Sequence, residues 1–295
     1  MILNWDSGMA EQNAYQVADW NGPSGERWVD NQARLDHMLA VFGEAAITAA
    51  RPSPGEHVLD VGCGAGASSF ALAGLVGPDG RVLGVDISEP LIARARELAP
   101  AGVPVAFELA DTARASLPEG GFDLLFSRFG VMFFDDPAAA FAHMRRALKP
   151  GARVAFVCWR SAGENDWGRL PMEAIKDIVL PPAPPDPEAP GPFSFGDKDR
   201  VPRILTAAGF GDISITPFDH PVPFGQGATR EAAIDDALEM AFEVGPLSRA
   251  LADQPDDIRA RAAAAVRAAY ATRPGERSVM IDAAAWIVTA RVLAG

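Results

Sequence analysis

Between residues 57 and 160, short apolar runs alternate with amphipathic stretches in a steady rhythm. Runs bounded by turn residues read as buried strands, and apolar positions spaced three and four apart read as helices. The pattern predicts strand 57–61, helix 67–75, strand 81–86, helix 88–99, strand 103–109, strand 122–128, helix 137–147 and strand 152–159. Ser88 and Pro90 suit the opening of the second helix, and Lys149, Pro150 and Gly151 suit a stop before the fifth strand. Such alternation implies an α/β fold with a parallel sheet covered by helices on both faces. Ligands of such sheets bind beyond the carboxyl ends of the strands.

Outside this block the rhythm changes. Leu35, Met38, Leu39, Phe42, Ala46 and Ala49 recur at helical spacing and predict a helix of about four turns. Before it, Tyr15, Trp20 and Trp28 bracket a turn containing Gly22, Pro23 and Gly25. They read either as a loop plugging the edge of the core or as a mobile cover. Pro171 and the prolines between 181 and 192 predict an irregular, polyproline-like excursion over 161–200. Residues 197–208 read as a helix ended by Gly209, 212–218 as a sixth strand and 283–293 as a seventh. Between these strands, Ile234, Leu238, Ala241, Ile258, Ala262 and Val266 sit at helical spacing.

The chemistry concentrates in residues 57–69. Gly62, Gly64 and Gly66 end the first strand with three residues that lack a Cβ, so the chain can turn sharply and approach a ligand closely. The helix that follows turns its free N–H groups toward the same place. A dinucleotide fingerprint spaces its glycines as G-x-G-x-x-G, whereas this loop reads G-x-G-x-G. Asp60, two positions before Gly62, would repel a pyrophosphate and suits a cationic ligand. Asp86 ends the second strand, 20 positions after Gly66, where a carboxylate can accept ribose hydroxyls. Asp86 and Asp111 could each instead be plain capping or turn residues.

The run from Val58 to Gly66 closely resembles motif I of the class I S-adenosylmethionine-dependent methyltransferases. Residues 122–133 and 147–151 look most like the small-molecule branch that includes ubiquinone and menaquinone biosynthesis methyltransferases. The resemblance spans roughly residues 55–160. It implies a Rossmann-like seven-stranded sheet in the order 3-2-1-4-5-7-6, strand 7 antiparallel, with helical cap insertions. It implies S-adenosyl-L-methionine as cofactor and a small-molecule acceptor, and it gives the acid after the third strand, Asp111, to the adenine amino group. The candidate cofactor-binding residues are Asp60, Gly62, Cys63, Gly64, Gly66, Asp86, Ile87, Asp111, Thr112 and Ser127. Phe129, Met132 and Trp159, just beyond strands four and five, are candidate contacts to an acceptor with an apolar or aromatic body. The expected organisation is an N-terminal helical lid over 1–56, a cofactor-binding core over 57–220 and 281–295 with the Pro-rich insertion 161–200, and a helical cap over 221–280.

Composition narrows the alternatives. Net charge is −13 with no Lys/Arg run, which argues against a nucleic-acid partner. No apolar stretch approaches about 18 residues, so no stable membrane insertion is expected, and the expected location is cytoplasmic. Cys63 and Cys158 read as buried thiols rather than a disulfide. His37, His57, His143 and His220 lack metal-ligand spacing, and no metal site is expected. Ser127, Arg128, Phe129 and Gly130 stand where nucleobase amino methyltransferases carry an Asn/Asp-Pro-Pro motif. Strand five ends in Cys158, Trp159 and Arg160, without the Asp-Asn of a magnesium-dependent catechol-type site. No catalytic residue is assigned; His220 is the best base candidate, weighed against an ordinary surface histidine. Oligomeric state is open. The competing readings are a non-methylating reaction on the same cofactor, a nicotinamide oxidoreductase, and a non-catalytic cofactor-binding partner.

Overall fold

The first apolar run forms β1 (His57–Val61), and it lies third from one edge of a seven-stranded sheet in the computed structural model, which describes residues 13–180 and 186–293. Among the described residues, three helices come before it: α1 (Ala14–Trp20), α2 (Pro23–Asp30) and α3 (Gln32–Ala50). After it the chain alternates through α4 (Ala67–Val76), β2 (Arg81–Asp86), α5 (Glu89–Leu98), β3 (Val105–Leu109), β4 (Phe122–Arg128), α6 (Pro137–Arg145) and β5 (Leu148–Trp159). It continues through α7 (Asp166–Ile175), α8 (Arg200–Ala207), β6 (Phe210–Gln226), α9 (Arg230–Glu243), α10 (Pro246–Ala250), α11 (Asp256–Ala271) and β7 (Ser278–Val292).

The strand order is β3-β2-β1-β4-β5-β7-β6, with β7 antiparallel, as expected. Parallel pairing places Asp60 opposite Gly84 on one side and Phe126 on the other. The order reverses between β1 and β4, so the loops leaving these two strands part and leave a crevice at their carboxyl ends. Leu59, Leu124, Leu125, Phe126 and Phe156 are fully buried in the central strands, and Phe42 of α3 is buried with them. Each such side chain contributes roughly 2–3 kcal/mol relative to exposure.

Several local expectations change. Lys149, Pro150 and Gly151 belong to β5, where the register with β4 slips between Phe122 and Leu124; Gly151, at φ 76°, takes up the irregularity. Pro171 sits inside α7 rather than in an irregular stretch. The segment with Trp20 and Trp28 is two short helices flanking the turn at Asn21 and Gly22. β6 and β7 are far longer than predicted, at 17 and 15 residues, and their outer ends carry a further alternating buried face, Val222 and Phe224 on β6 and Val279 and Ile281 on β7. The prolines at 181–185 lie outside the described residues.

The chain divides into two compact units. The first comprises residues 1–158, 188–216 and 286–295, and the second residues 159–187 and 217–285. The second is held by a polar core. Asp166, 3% exposed, pairs with Arg273 (2.6 Å) and Arg169 and accepts from the Asp282 amide, while buried Asn165 bonds both the N–H and the C=O of Ala284. Around this core α7, α9 and α11 pack through Ile175, Ala237, Met240, Ala262 and Val266.

Candidate functional site

All three loop glycines have positive φ, at 65° for Gly62, 55° for Gly64 and 91° for Gly66. Their surroundings differ. A Cβ on Gly62 would lie 2.7 Å from the Gly130 Cα, and one on Gly66 would lie 2.8 Å from the rings of Phe70 and Phe107. A Cβ on Gly64 would meet nothing within 4 Å. Gly62 and Gly66 therefore serve close packing, and Gly64 faces open space.

Two carboxylates hold this loop. Asp86 accepts the Gly64 amide through Oδ2 (2.8 Å) and the Ser88 amide through Oδ1 (2.9 Å). Each oxygen keeps a second lone pair for a ligand hydroxyl. Burial raises the Asp86 carboxyl above its ordinary value, against the lowering effect of those amides. Asp60 is wholly buried, and its Oδ2 accepts from Ser68 (2.7 Å) and Ser69 (2.6 Å) in the first turn of α4. Its Oδ1 has no hydrogen-bond partner. Desolvation pushes the Asp60 carboxyl up to about 6. Burial likewise pushes the thiols of Cys63 and Cys158 up, and both cysteines are free.

Across the crevice, the tip of β4 is locked to the loop. Ser127, buried, donates its hydroxyl to the Val61 carbonyl (2.7 Å) and accepts from the Gly130 amide (3.1 Å). Phe129 adopts φ 62°, a conformation costly for a residue with a Cβ, with its amide on the Val157 carbonyl (3.0 Å) and its ring edge-on to Phe42. Arg128 pairs with Asp36 of α3 at 2.6 Å. Met132 is buried, and its carbonyl accepts from Gly191 and Ser194. Trp159 is 7% exposed and packs on Trp167.

The N-terminal helices attach to the same strand ends. The Asn21 carboxamide donates to the Ile87 carbonyl and accepts from the Glu89 amide, both at 2.8 Å. Ser88 donates to the Trp20 carbonyl (2.7 Å). Asn13 donates through its side chain to Asp111 Oδ2 (3.1 Å) and through its amide to Asp135, while Asp111 Oδ1 accepts from Ala113. Thr112 is buried beside it. Trp20 stacks edge-on against Trp28 and Phe133.

Asp60, Gly62, Gly64, Gly66, Asp86 and Ile87 lie at the ends of β1 and β2 and in the loop after β1. The sequence pattern does not single out Asn13, Asn21, Asp36, Ser68, Ser69 or Arg128. An arginine at the end of the apolar strand 122–128 does signal a carboxylate partner, but Asp36 lies 92 positions away in the chain. His220 is exposed, stacked on Phe218, with Nδ1 against the Pro221 carbonyl. Among the described residues there is no cluster of His, Cys, Asp and Glu able to hold a metal ion, and no helix is long and apolar enough to cross a membrane.

Residues 58–151 match the family described as a methyltransferase domain. This segment runs from β1 to the β5 bulge and contains the glycine loop, Asp86, Asp111 and the β4 tip. The match covers about a third of the chain. The chain is 37% identical over 172 residues to the nocamycin O-methyltransferase of Saccharothrix syringae, a match covering 55% of this chain and 61% of that one. It is 31% identical over 199 residues to the 2-methyl-6-phytyl-1,4-hydroquinone methyltransferase of a Synechocystis strain, covering 65% and 57%. The chain thus spans less than two thirds of either relative. The YcgJ protein of Bacillus subtilis has the same fold, with a TM-score of 0.56 at 17% identity, over 88% of this chain and 99% of that one.

Proposed function

We propose that this protein transfers a methyl group from S-adenosylmethionine to a small molecule with an apolar or aromatic body. The observation that carries this reading is the open ground at Gly64, bordered by Asp86, in a loop led into by the strand that carries the buried Asp60 carboxylate with its one unpartnered oxygen. That donor set fits the cofactor. The carboxylates suit its hydroxyls and its cationic centres, and a Cβ at Gly64 would fill the space it needs.

In this reading the loop Gly62–Gly66 cradles the cofactor, Asp86 and Ile87 hold its ribose end, and Asp111 and Thr112 hold its base. Cys63 contributes backbone, its thiol being buried. Ser127, whose hydroxyl is committed to the main chain on both sides, acts by fixing the β4 tip. Bound S-adenosylmethionine supplies a methyl group already activated on sulfonium sulfur. The protein's share is to position the acceptor and keep water out. Among the acceptor candidates, Phe129 is half-buried, while Met132 and Trp159 are buried.

Calorimetry with S-adenosylmethionine, S-adenosylhomocysteine and NAD tests the cofactor, and binding of the first two but not the third is expected. A screen of phenolic and quinol acceptors for S-adenosylhomocysteine release then tests the transfer. Tight binding without release for any acceptor would favour a non-methylating reaction on the same site.

A further inference from the structure

Arg128 is a buried charge whose role the binding scheme leaves open. Its side chain is 13% exposed and its guanidinium pairs with Asp36 Oδ1 of α3 at 2.6 Å, and Asp36 is held in turn by Gln32. Arg128 also faces Asp60. In the β1–β4 ladder Asp60 lies opposite Phe126, and Arg128 follows Phe126 by two positions, so both side chains leave the same face of the sheet. That face is covered by α3 and α4, which carry Asp36 and the two serines that bond Asp60.

The groups around Asp60 are few: Ser68 and Ser69 from α4, Arg128 from β4, Asp86 from β2 and Cys63 from its own loop. Arg128 is the one cation among them, and Asp86 is a like charge that opposes ionisation. The serines satisfy one oxygen and leave the other bare. A wholly buried carboxylate with two neutral donors would readily take up a proton without a counter-charge.

We infer that Arg128, oriented by Asp36, is the positioning residue that keeps Asp60 anionic beneath the glycine loop, and so sets the lower pH limit for binding a cationic ligand there. This rests on the cofactor reading above. Asp36 and Arg128 lie outside the ligand contacts and act through Asp60. Neutralising Asp60 removes the attraction to an ammonium or sulfonium centre and leaves contacts to uncharged parts of the ligand intact. A group held near 6 is half ionised there, so affinity for a cationic ligand should fall as pH drops through that point.

The experiment is calorimetric titration of the full chain from pH 5 to 8.5 with two probes. S-adenosylhomocysteine carries an ammonium group, and 5′-methylthioadenosine shares its nucleoside but is uncharged. For the unaltered protein, S-adenosylhomocysteine affinity should fall about tenfold per pH unit below a midpoint near 6. 5′-Methylthioadenosine affinity should stay flat, and because that probe also uses Asp86, the comparison separates Asp60 from Asp86. Arg128→Met and the milder Asp36→Asn should move the midpoint upward by about one unit with near-normal affinity at pH 8.5. Arg128→Lys should restore it, and Asp60→Asn should give a flat, weak profile. The inference is overturned if the variants lose affinity by one factor at every pH, as a purely structural role requires, or if the midpoint stays put. Failure of S-adenosylhomocysteine to bind at pH 8.5 would instead overturn the cofactor reading itself.

Discussion

The three glycines of the loop separate by what surrounds them, and this separates their mutational effects. At Gly64 an added methyl group meets no protein atom, so Gly64→Ala costs only the left-handed backbone, about 1–2 kcal/mol. It should leave a folded protein with cofactor binding greatly reduced. At Gly62 the same methyl group would sit 2.7 Å from the Gly130 Cα, so Gly62→Ala should force β1 and β4 apart and destabilise the fold by several kcal/mol. Thermal melts with calorimetry distinguish the two outcomes, and equal losses of stability would contradict the assignment. Asp60 gives a pH test of the ligand-free protein. Its carboxyl titrates near 3.8 when unfolded and about 6 when folded. Below the lower value both states are protonated and the fold carries no penalty. As pH rises through this window the unfolded chain releases its proton first, and stability falls by roughly 3 kcal/mol. Asp60→Asn should remove that decline and make the ligand-free protein more stable at pH 8, while weakening ligand binding. Melting temperature measured from pH 4 to 8 in both proteins checks this.

At the scale of elements, α1 and α2 hold to the sheet by a few specific bonds rather than by apolar area. Asn21 bonds the backbone on both sides of Ser88, and Ser88 bonds Trp20 and packs where a Cβ on Gly25 would intrude, 3.1 Å from its hydroxyl. The same Cβ would approach the Trp20 carbonyl to 2.1 Å. Gly25→Ala should therefore release the helical pair, and Asn21→Ala should weaken it by about 1–2 kcal/mol, the worth of two hydrogen bonds. Amide exchange in residues 14–30 should accelerate in both variants, with β1, β4 and β5 unchanged. An unchanged exchange rate in that segment would show that the aromatic contacts of Trp20 and Trp28 suffice.

For the whole molecule, the two units rest on different physics. The first is organised by apolar strands, the second by a buried ionic core around Asp166. Removing one member of such a core leaves uncompensated charge, at a cost of about 3–5 kcal/mol. Asp166→Ala leaves Arg273, which already has one buried nitrogen without a partner, paired only with the exposed Asp282, so the loss falls at the lower end of that range. Exchange should quicken in α7, α11 and the first half of β7, and stay slow in β1–β4. Uniform acceleration throughout the chain would show instead that the two units open as one.

Period and punctuation in the sequence were enough to establish the sheet class, five of the seven strands to within a few residues, and the glycine loop with Asp60 and Asp86. Each of these depends on neighbours within about 25 positions, and local spacing carries that information. The length of β6 and β7 was not legible, because the buried positions of their outer ends, Val222 and Phe224 on β6 and Val279 and Ile281 on β7, are few and interleaved with prolines and polar residues. Likewise α7 tolerates Pro171 because tertiary contacts outweigh helix propensity. The division of labour among the glycines, the bare oxygen of Asp60 and the Asp36–Arg128 pair were decided only by the tertiary structure. They depend on which residues, tens of positions apart, meet in a water-free interior, where a single unpaired charge outweighs any local preference.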